Sequence, residues 1–576
     1  MACHQFICWA PLDPNGPKIF GFAEYLAALA LIVIAWTISD WRYRFHLQTA
    51  RLHVRRIAFF TVAAVGALTL ATDIWRASGY PVPVGNVVSP VLWQGFLGGI
   101  FLAAFIMWAT TAFLSPPRFN HKNAHRFIST TYRYSLAGNP SDLDQLADAL
   151  EPSAARIISM AGDNKNREAT LKARLAAEML HAMADPKFCA AAVRSAPLTL
   201  QAIFETLRKT PSASPHVTQF ARNVLIAAIA ESTSFLHREN ADWQSGLAAQ
   251  GQWVTKCLYG DIDVLDRLRF VFAARGAHDW SADGWEAYLR AAGHAFQNYV
   301  KQARTYHSQT ISNIFHTIDD GTRNLHRLNG ISDWTLESDA YRRAEAILSF
   351  IDEAAAALET SDVQIAEWNA MDEYHNPVQQ LARISAKMLL DAANVRSPSP
   401  TNWWVQHNLV WSRIFDRNID GAELVKGEIR ERVVRMVWGE VAKLDYTPNY
   451  VGARLLGLCL NIAWVRGTQI RSVHRGVAEA ALLRLGRTWA TRRFAWLYKY
   501  NPSVATSGFS DLMTYNPKKR VLRRMWEPSA YRPVATFTTL PVVAPLPGPA
   551  EGGLLPFDQM PDKMVSRRRS VPLHLI

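Results

Sequence analysis

No HExxH pair, GxxxxGK[ST] loop, GxGxxG turn, GxSxG elbow or DFG-type set occurs in the 576 residues. The short signatures of zinc proteases, P-loop nucleotidases, dinucleotide enzymes, α/β-hydrolases and kinases are therefore missing. Cysteine is scarce, with five residues and no CxxC or CxxCH spacing, which leaves no disulfide framework, redox pair or haem-attachment motif. Cys189, Cys257 and Cys459 read as small buried hydrophobes in a reducing compartment, whereas Cys3 and Cys8 fall where they could pair. Also lacking are an alternating apolar and polar run long enough for a sheet and a fixed repeat period. The expected class is all-α, an irregular helical array of bundle or solenoid type.

What is there in quantity is hydrophobic length. Ile19 to Ser39, Ile57 to Trp75 and Val91 to Leu114 are three apolar runs, and a helix needs roughly 20 residues to cross a bilayer. Three transmembrane helices are expected. The turn after the first run holds Arg42, Arg44, Arg51, Arg55 and Arg56 with no acid after Asp40, while the next turn holds only Arg76. Basic residues stay on the cytoplasmic side. The sequence thus predicts an inner-membrane protein with its N-terminus outside and everything beyond about residue 118 cytoplasmic. A cleaved signal peptide is disfavoured, because Lys18 is the only basic residue before a run that is itself too long.

Polar residues inside the apolar runs stand out. Glu24, Asp73 and Arg76 lie near the outer ends of the first two, where ionisable groups pair, snorkel or line an ion path. Gly95, Gly98 and Gly99 form a small-residue face for close helix packing, within the chain or between copies of it.

The predicted layout is an external segment (1–18), a transmembrane domain (19–118), a cytoplasmic helical domain (119–395), a basic, aromatic-rich helical domain (396–530) and a Pro-rich disordered tail (531–576). After Asn139-Pro140, Leu143, Leu146 and Leu150 recur at helical spacing, with Ser141 and Asp144 placed as a cap. Val451 to Val465 is apolar apart from Arg454 and Asn461, and reads as a buried core helix rather than a fourth crossing.

The net charge of +13 is concentrated late in the chain: residues 201–400 carry 18 basic and 24 acidic side chains, residues 401–576 carry 26 and 13. Arg471, Arg475, Arg484, Arg487, Arg492, Arg493, Lys499, Lys518, Lys519, Arg520, Arg523 and Arg524 are interleaved with Trp489, Phe494, Trp496, Tyr498 and Tyr500. Anionic membrane lipid is the expected contact of this face, with nucleic acid second and the acidic 301–400 region a further choice.

Three histidine groupings are candidate metal sites: His278-Asp279, the set His316, Asp319, Asp320 and His326, and the i, i+4 pair His121 and His125. Each reads better as a solvated turn or a basic membrane-proximal face. No catalytic residue, metal or cofactor is assigned. The leading functional expectation is a membrane-anchored helical scaffold or sensor that binds a protein partner. An oligomeric membrane effector or pore follows, and an enzyme with a site dispersed over several helices is third.

Overall fold

The computed structural model describes residues 2–4, 7–11, 18–38, 41–84, 89–162, 167–210, 215–239, 252–274, 276–303, 307–333, 335–416, 423–467, 476–528 and 534–544. The chain divides into two compact units, Met1–Phe235 and Leu236–Ile576.

The first unit opens with strands β1 (Ala2–His4) and β2 (Ile7–Pro11), then α1 (Phe22–Ile38), α2 (Trp41–Thr49) and α3 (Val54–Ala77). Strand β3 (Pro81–Val84) pairs with β2, and α4 (Pro90–Ala109) continues into a π-helical turn, Thr110–Leu114. Helix α4 starts where it does because Ser89 accepts the amide hydrogen of Leu92 and Pro90 occupies the first turn.

Among the described residues two helices, Val54–Ala77 and Pro90–Leu114, are long and apolar enough to cross a membrane. The first apolar run forms a helix of 17 residues, which rises about 26 Å against a hydrocarbon core of about 30 Å. Two crossing-length helices therefore stand where the runs alone predict three. A small core ties them together: Tyr25, Val65, Leu97 and Phe101 are buried, and the Tyr25 hydroxyl donates to the carbonyl of Val62. Gly66 permits this, since a Cβ there would stand 2.5 Å from the Tyr25 ring.

Helix α2 links this region to the helices that follow. Leu47, Ala50, Val54, Trp108 and Ala112 form a second core, and His46 Nδ1 lies 3.0 Å from the Ala112 carbonyl oxygen. Phe45 meets Phe127 edge-on at 5.6 Å, bringing up α5 (Ala124–Ala137). Then come α6 (Pro140–Ala149), α7 (Glu151–Gly162), α8 (Arg167–Met183), α9 (Pro186–Ser195), α10 (Pro197–Lys209) and α11 (Pro215–Ala230). They pack α6 on α9, α7 on α8 and α10, and α9 on α11. The start of α6 corrects the expected cap. Asn139 is the N-cap with Pro140 in the first turn, while Asp144 accepts a 2.7 Å bond from Arg194.

The second unit pairs long helices: Ala282–Lys301 with Asp339–Glu359, Pro377–Ala392 with Glu423–Ala442, and Tyr450–Gly467 with Val477–Tyr500. Trp285, Trp368, Trp411 and Trp489 are fully buried in it. Tyr450–Gly467 lies within this core, with Leu455, Leu456, Leu458, Leu460 and Ile462 buried. Its Gly457 meets Gly508 backbone to backbone, where a Cβ would come 1.9 Å from the Gly508 carbonyl oxygen.

The molecule is predominantly helical, consistent with the expected class, and the described residues add two small three-stranded antiparallel sheets, the first β1-β2-β3. In the second, β4 (Met513–Asn516), β5 (Val521–Trp526) and β6 (Thr536–Pro541) pair in order. Strands thus occupy ground expected to be helical or disordered. Period-two patterning is hidden in β5 because its inward residues are Leu522 and an arginine, Arg524. The turn before it uses Arg520 in the left-handed region, φ 51°.

Candidate functional site

The polar residues of the apolar region meet at the start of α1. The Asp73 carboxylate accepts the amide hydrogen of Phe22 at 2.9 Å, that of Glu24 accepts from Gly21 at 2.9 Å, and Gln94 Oε1 accepts from Ile19 at 3.1 Å. Amides at and just before a helix N-terminus have no intrahelical partner, and a carboxylate beside a helix N-terminus is favoured by the backbone dipole. Both carboxylates close over Gly21, where a Cβ would lie 3.1 Å from each. Arg76 is buried in the last turn of α3. Of the three glycines, Gly98 seats the Phe20 ring, whereas nothing lies within 4 Å of a Cβ placed on Gly95 or Gly99.

The C-terminal basic residues part company. Arg484, Arg487 and Arg492 share one face of Val477–Tyr500 and, with Thr488, Thr491 and Leu540, line a concavity of about 430 Å³. Their i, i+3 and i+8 spacing places them there. Lys518, Lys519 and Arg520 are exposed at the β4–β5 turn, and Lys499 is exposed at the end of the long helix. Arg493 is drawn inward to Asp445 at 3.6 Å. Arg523 faces outward on β5 opposite Thr539, partly buried. Arg524 is interior: it donates to the Asn461 carbonyl at 2.8 Å and stands 4.4 Å over the Trp526 ring. Burial lowers its pKa to about 10. Arg471 and Arg475 lie outside the described residues.

The interleaved aromatics are core rather than surface. Trp489 donates to Asp445 at 2.9 Å, Phe494 stacks on Phe509 at 5.4 Å, and Tyr498 meets Tyr515 at 4.9 Å. Only Tyr500 of the five named is exposed, at 61%. Single-stranded nucleic acid needs aromatic faces turned outward for base stacking, and of these five only Tyr500 presents one.

The histidine groupings resolve into separate contacts. His278 and Asp279 form an exposed pair at 3.3 Å, and His316 and Asp320 another at 4.0 Å. Asp319 instead binds Lys387 and Arg383. His326 bonds Asp391, a buried carboxylate that also accepts the amides of Asn324 and Leu325. Among the described residues, no three His, Cys, Asp or Glu side chains converge as metal ligands would.

The arginines that mark topology in the sequence also meet in space. Arg44, Arg55 and Arg56 line a single cleft with Arg126 and Arg133. The i, i+7 spacing of Arg126 and Arg133, which puts both on one face of a helix, was the available sign.

Comparison with known proteins returns no match among family models, curated proteins or solved structures. The class defined by the structure alone is a predominantly helical protein with, among the described residues, two helices long and apolar enough to cross a membrane.

Proposed function

We propose that the chain is a multi-pass protein of the inner membrane, anchored by α1, α3 and α4 with its N-terminus outside, whose helical units form a cytoplasmic scaffold or sensor for a protein partner. The observation that carries this reading is the outward face of the two long helices. Only 17% and 28% of their apolar windows are buried, and Phe59, Phe60, Leu92, Phe96, Leu102 and Ile106 point away from the protein. An apolar surface of that extent calls for lipid or a partner to cover it. Helix α1, short by itself, would complete the crossing by tilting less or thinning the bilayer locally.

The exposed cations of Val477–Tyr500 and of the β4–β5 turn suit docking on anionic headgroups, each worth about 1 kcal/mol near the surface. The inward aromatics favour this reading over nucleic acid. The test is protease added to right-side-out spheroplasts: the large C-terminal portion should survive until the cells are lysed. Digestion of intact spheroplasts would remove the topology.

A second reading, an oligomeric membrane effector, draws on the open Gly95 and Gly99 face of α4. Its mark is a multimer in mild detergent that Gly99→Leu dissociates.

A further inference from the structure

We propose that the arginine-lined cleft formed by α2, the start of α3 and α5 binds the headgroup of an anionic phospholipid carrying about two negative charges, a phosphomonoester or a paired phosphate. The cleft holds about 820 Å³, within the ~300–1,000 Å³ typical of small-molecule sites. Its walls bring together five arginines, Arg44, Arg55, Arg56, Arg126 and Arg133, against the single carboxylate of Asp142. A diester phosphate with one charge would leave most of that excess unmatched. Two charges and several acceptor oxygens match it better, because guanidinium forks bind phosphate in bidentate fashion.

Two of the arginines are partly preorganised by hydrogen bonds within the cleft wall. Arg126 donates to the Ala50 carbonyl and lies 3.1 Å from His53, and Arg133 donates to Gln48 at 2.6 Å. The Ala50 carbonyl and the Gln48 amide fix a guanidinium without cancelling its charge. Arg44 and Arg56 carry no ion pair among the described residues and are exposed at the rim.

Position selects lipid over a dissolved phosphate, a choice that rests on the membrane reading above. Arg55 and Arg56 stand in the first turn of α3, and the next turn exposes Ile57, Phe59 and Phe60. If α3 crosses a bilayer, the cleft lies at headgroup depth with acyl chains alongside Phe59 and Phe60. Trp41 and Tyr134 line it too, their rings 4.8 Å apart, and aromatic residues of this kind favour that interface.

The test uses the full-length protein in mild detergent, titrated with monomeric short-chain phosphatidic acid, phosphatidylglycerol and phosphatidylcholine, and with inorganic pyrophosphate. Phosphatidic acid should bind at least tenfold more tightly than phosphatidylglycerol, and phosphatidylcholine should not bind. Arg44→Gln/Arg56→Gln should weaken phosphatidic acid about 25-fold, roughly fivefold per cation. Arg156→Gln/Arg174→Gln, exposed on α7 and α8 away from the cleft, should leave it unchanged. Arg126→Lys retains the charge and should still lose affinity, because the fork is gone. Equal binding of the two anionic lipids, or an unaffected Arg44→Gln/Arg56→Gln variant with unchanged circular dichroism, would overturn the proposal. Tight pyrophosphate binding without lipid binding would overturn it in favour of a soluble polyphosphate. Monomeric lipid in detergent reports on the cleft whether or not α3 crosses a bilayer, so failure here is distinct from failure of the spheroplast experiment.

Discussion

Leu102→Arg separates a lipid-facing helix from a water-facing one. Leu102 stands at the midpoint of Pro90–Leu114 and is 55% exposed, so the substitution disturbs little packing inside the protein. In water, an exposed leucine replaced by arginine changes stability by no more than about 0.5 kcal/mol. At the centre of a bilayer the arginine costs roughly 2.5–3.5 kcal/mol and the lost leucine about 0.5 more. The sum, about 3–4 kcal/mol, lowers insertion on the order of a hundredfold or more. Leu171→Arg is the matched control, since Leu171 is 56% exposed on α8, a helix outside the apolar pair. The assay is the share of full-length protein recovered in the membrane fraction at equal expression. Leu102→Arg should be depleted or degraded while Leu171→Arg matches the parent. Equal behaviour of the two variants would show that the exposed face of α4 meets water or protein, and the membrane reading would fail.

Other expectations follow from the second unit and the thiols. His294 is held near pKa 4, below the ordinary 6.5, by burial first and then by Lys256 and Arg290. Unfolding lets it take up a proton, so its contribution to stability is whole above pH 6.5 and falls as pH drops toward 4, by up to about 3 kcal/mol. Denaturant midpoints for parent and His294→Gln should converge as the pH falls through that window, and parallel curves would refute the assignment. Gly457→Ala forces a Cβ against the Gly508 carbonyl, and with no side chain to yield it should cost about 1–3 kcal/mol or more, visible as a lower Tm. Cys189 and Cys459 are buried, and burial pushes the Cys459 thiol up to about 12. At pH 8 both should resist alkylation until the protein unfolds, while the half-buried Cys257 reacts sooner. In nanodiscs, limited proteolysis around Arg484, Arg487 and Arg492 should be slower with anionic than with zwitterionic lipid, the difference vanishing at high salt.

The elements legible in the sequence were those whose signal is local. Apolar runs 57–75 and 91–114 return as α3 and α4 within a few residues, because length and hydropathy are properties of a segment by itself. The burial of Val451–Val465 could also be read, since Arg454 and Asn461 argue against lipid, and in the structure Arg454 bonds Asn394 while Asn461 bonds Asn402 and Gln406. The β4-β5-β6 sheet was not legible: the inward arginine of β5 is met by the Asn461 carbonyl, which a helix some sixty residues earlier supplies, and by the ring of Trp526 in the same strand. The arginine cleft was hidden for the same reason. About seventy residues separate Arg56 on α3 from Arg126 on α5, and they meet because α5 packs on α2, Phe127 against Phe45, next to the start of α3.

Alkaline carbonate extraction of membranes from cells making the intact chain addresses the central claim most directly. Peripheral proteins are stripped from the bilayer under these conditions, whereas helices that cross it hold their chain in the sediment. The full-length protein should remain in the pellet and be released only by detergent; recovery in the carbonate supernatant would contradict the account.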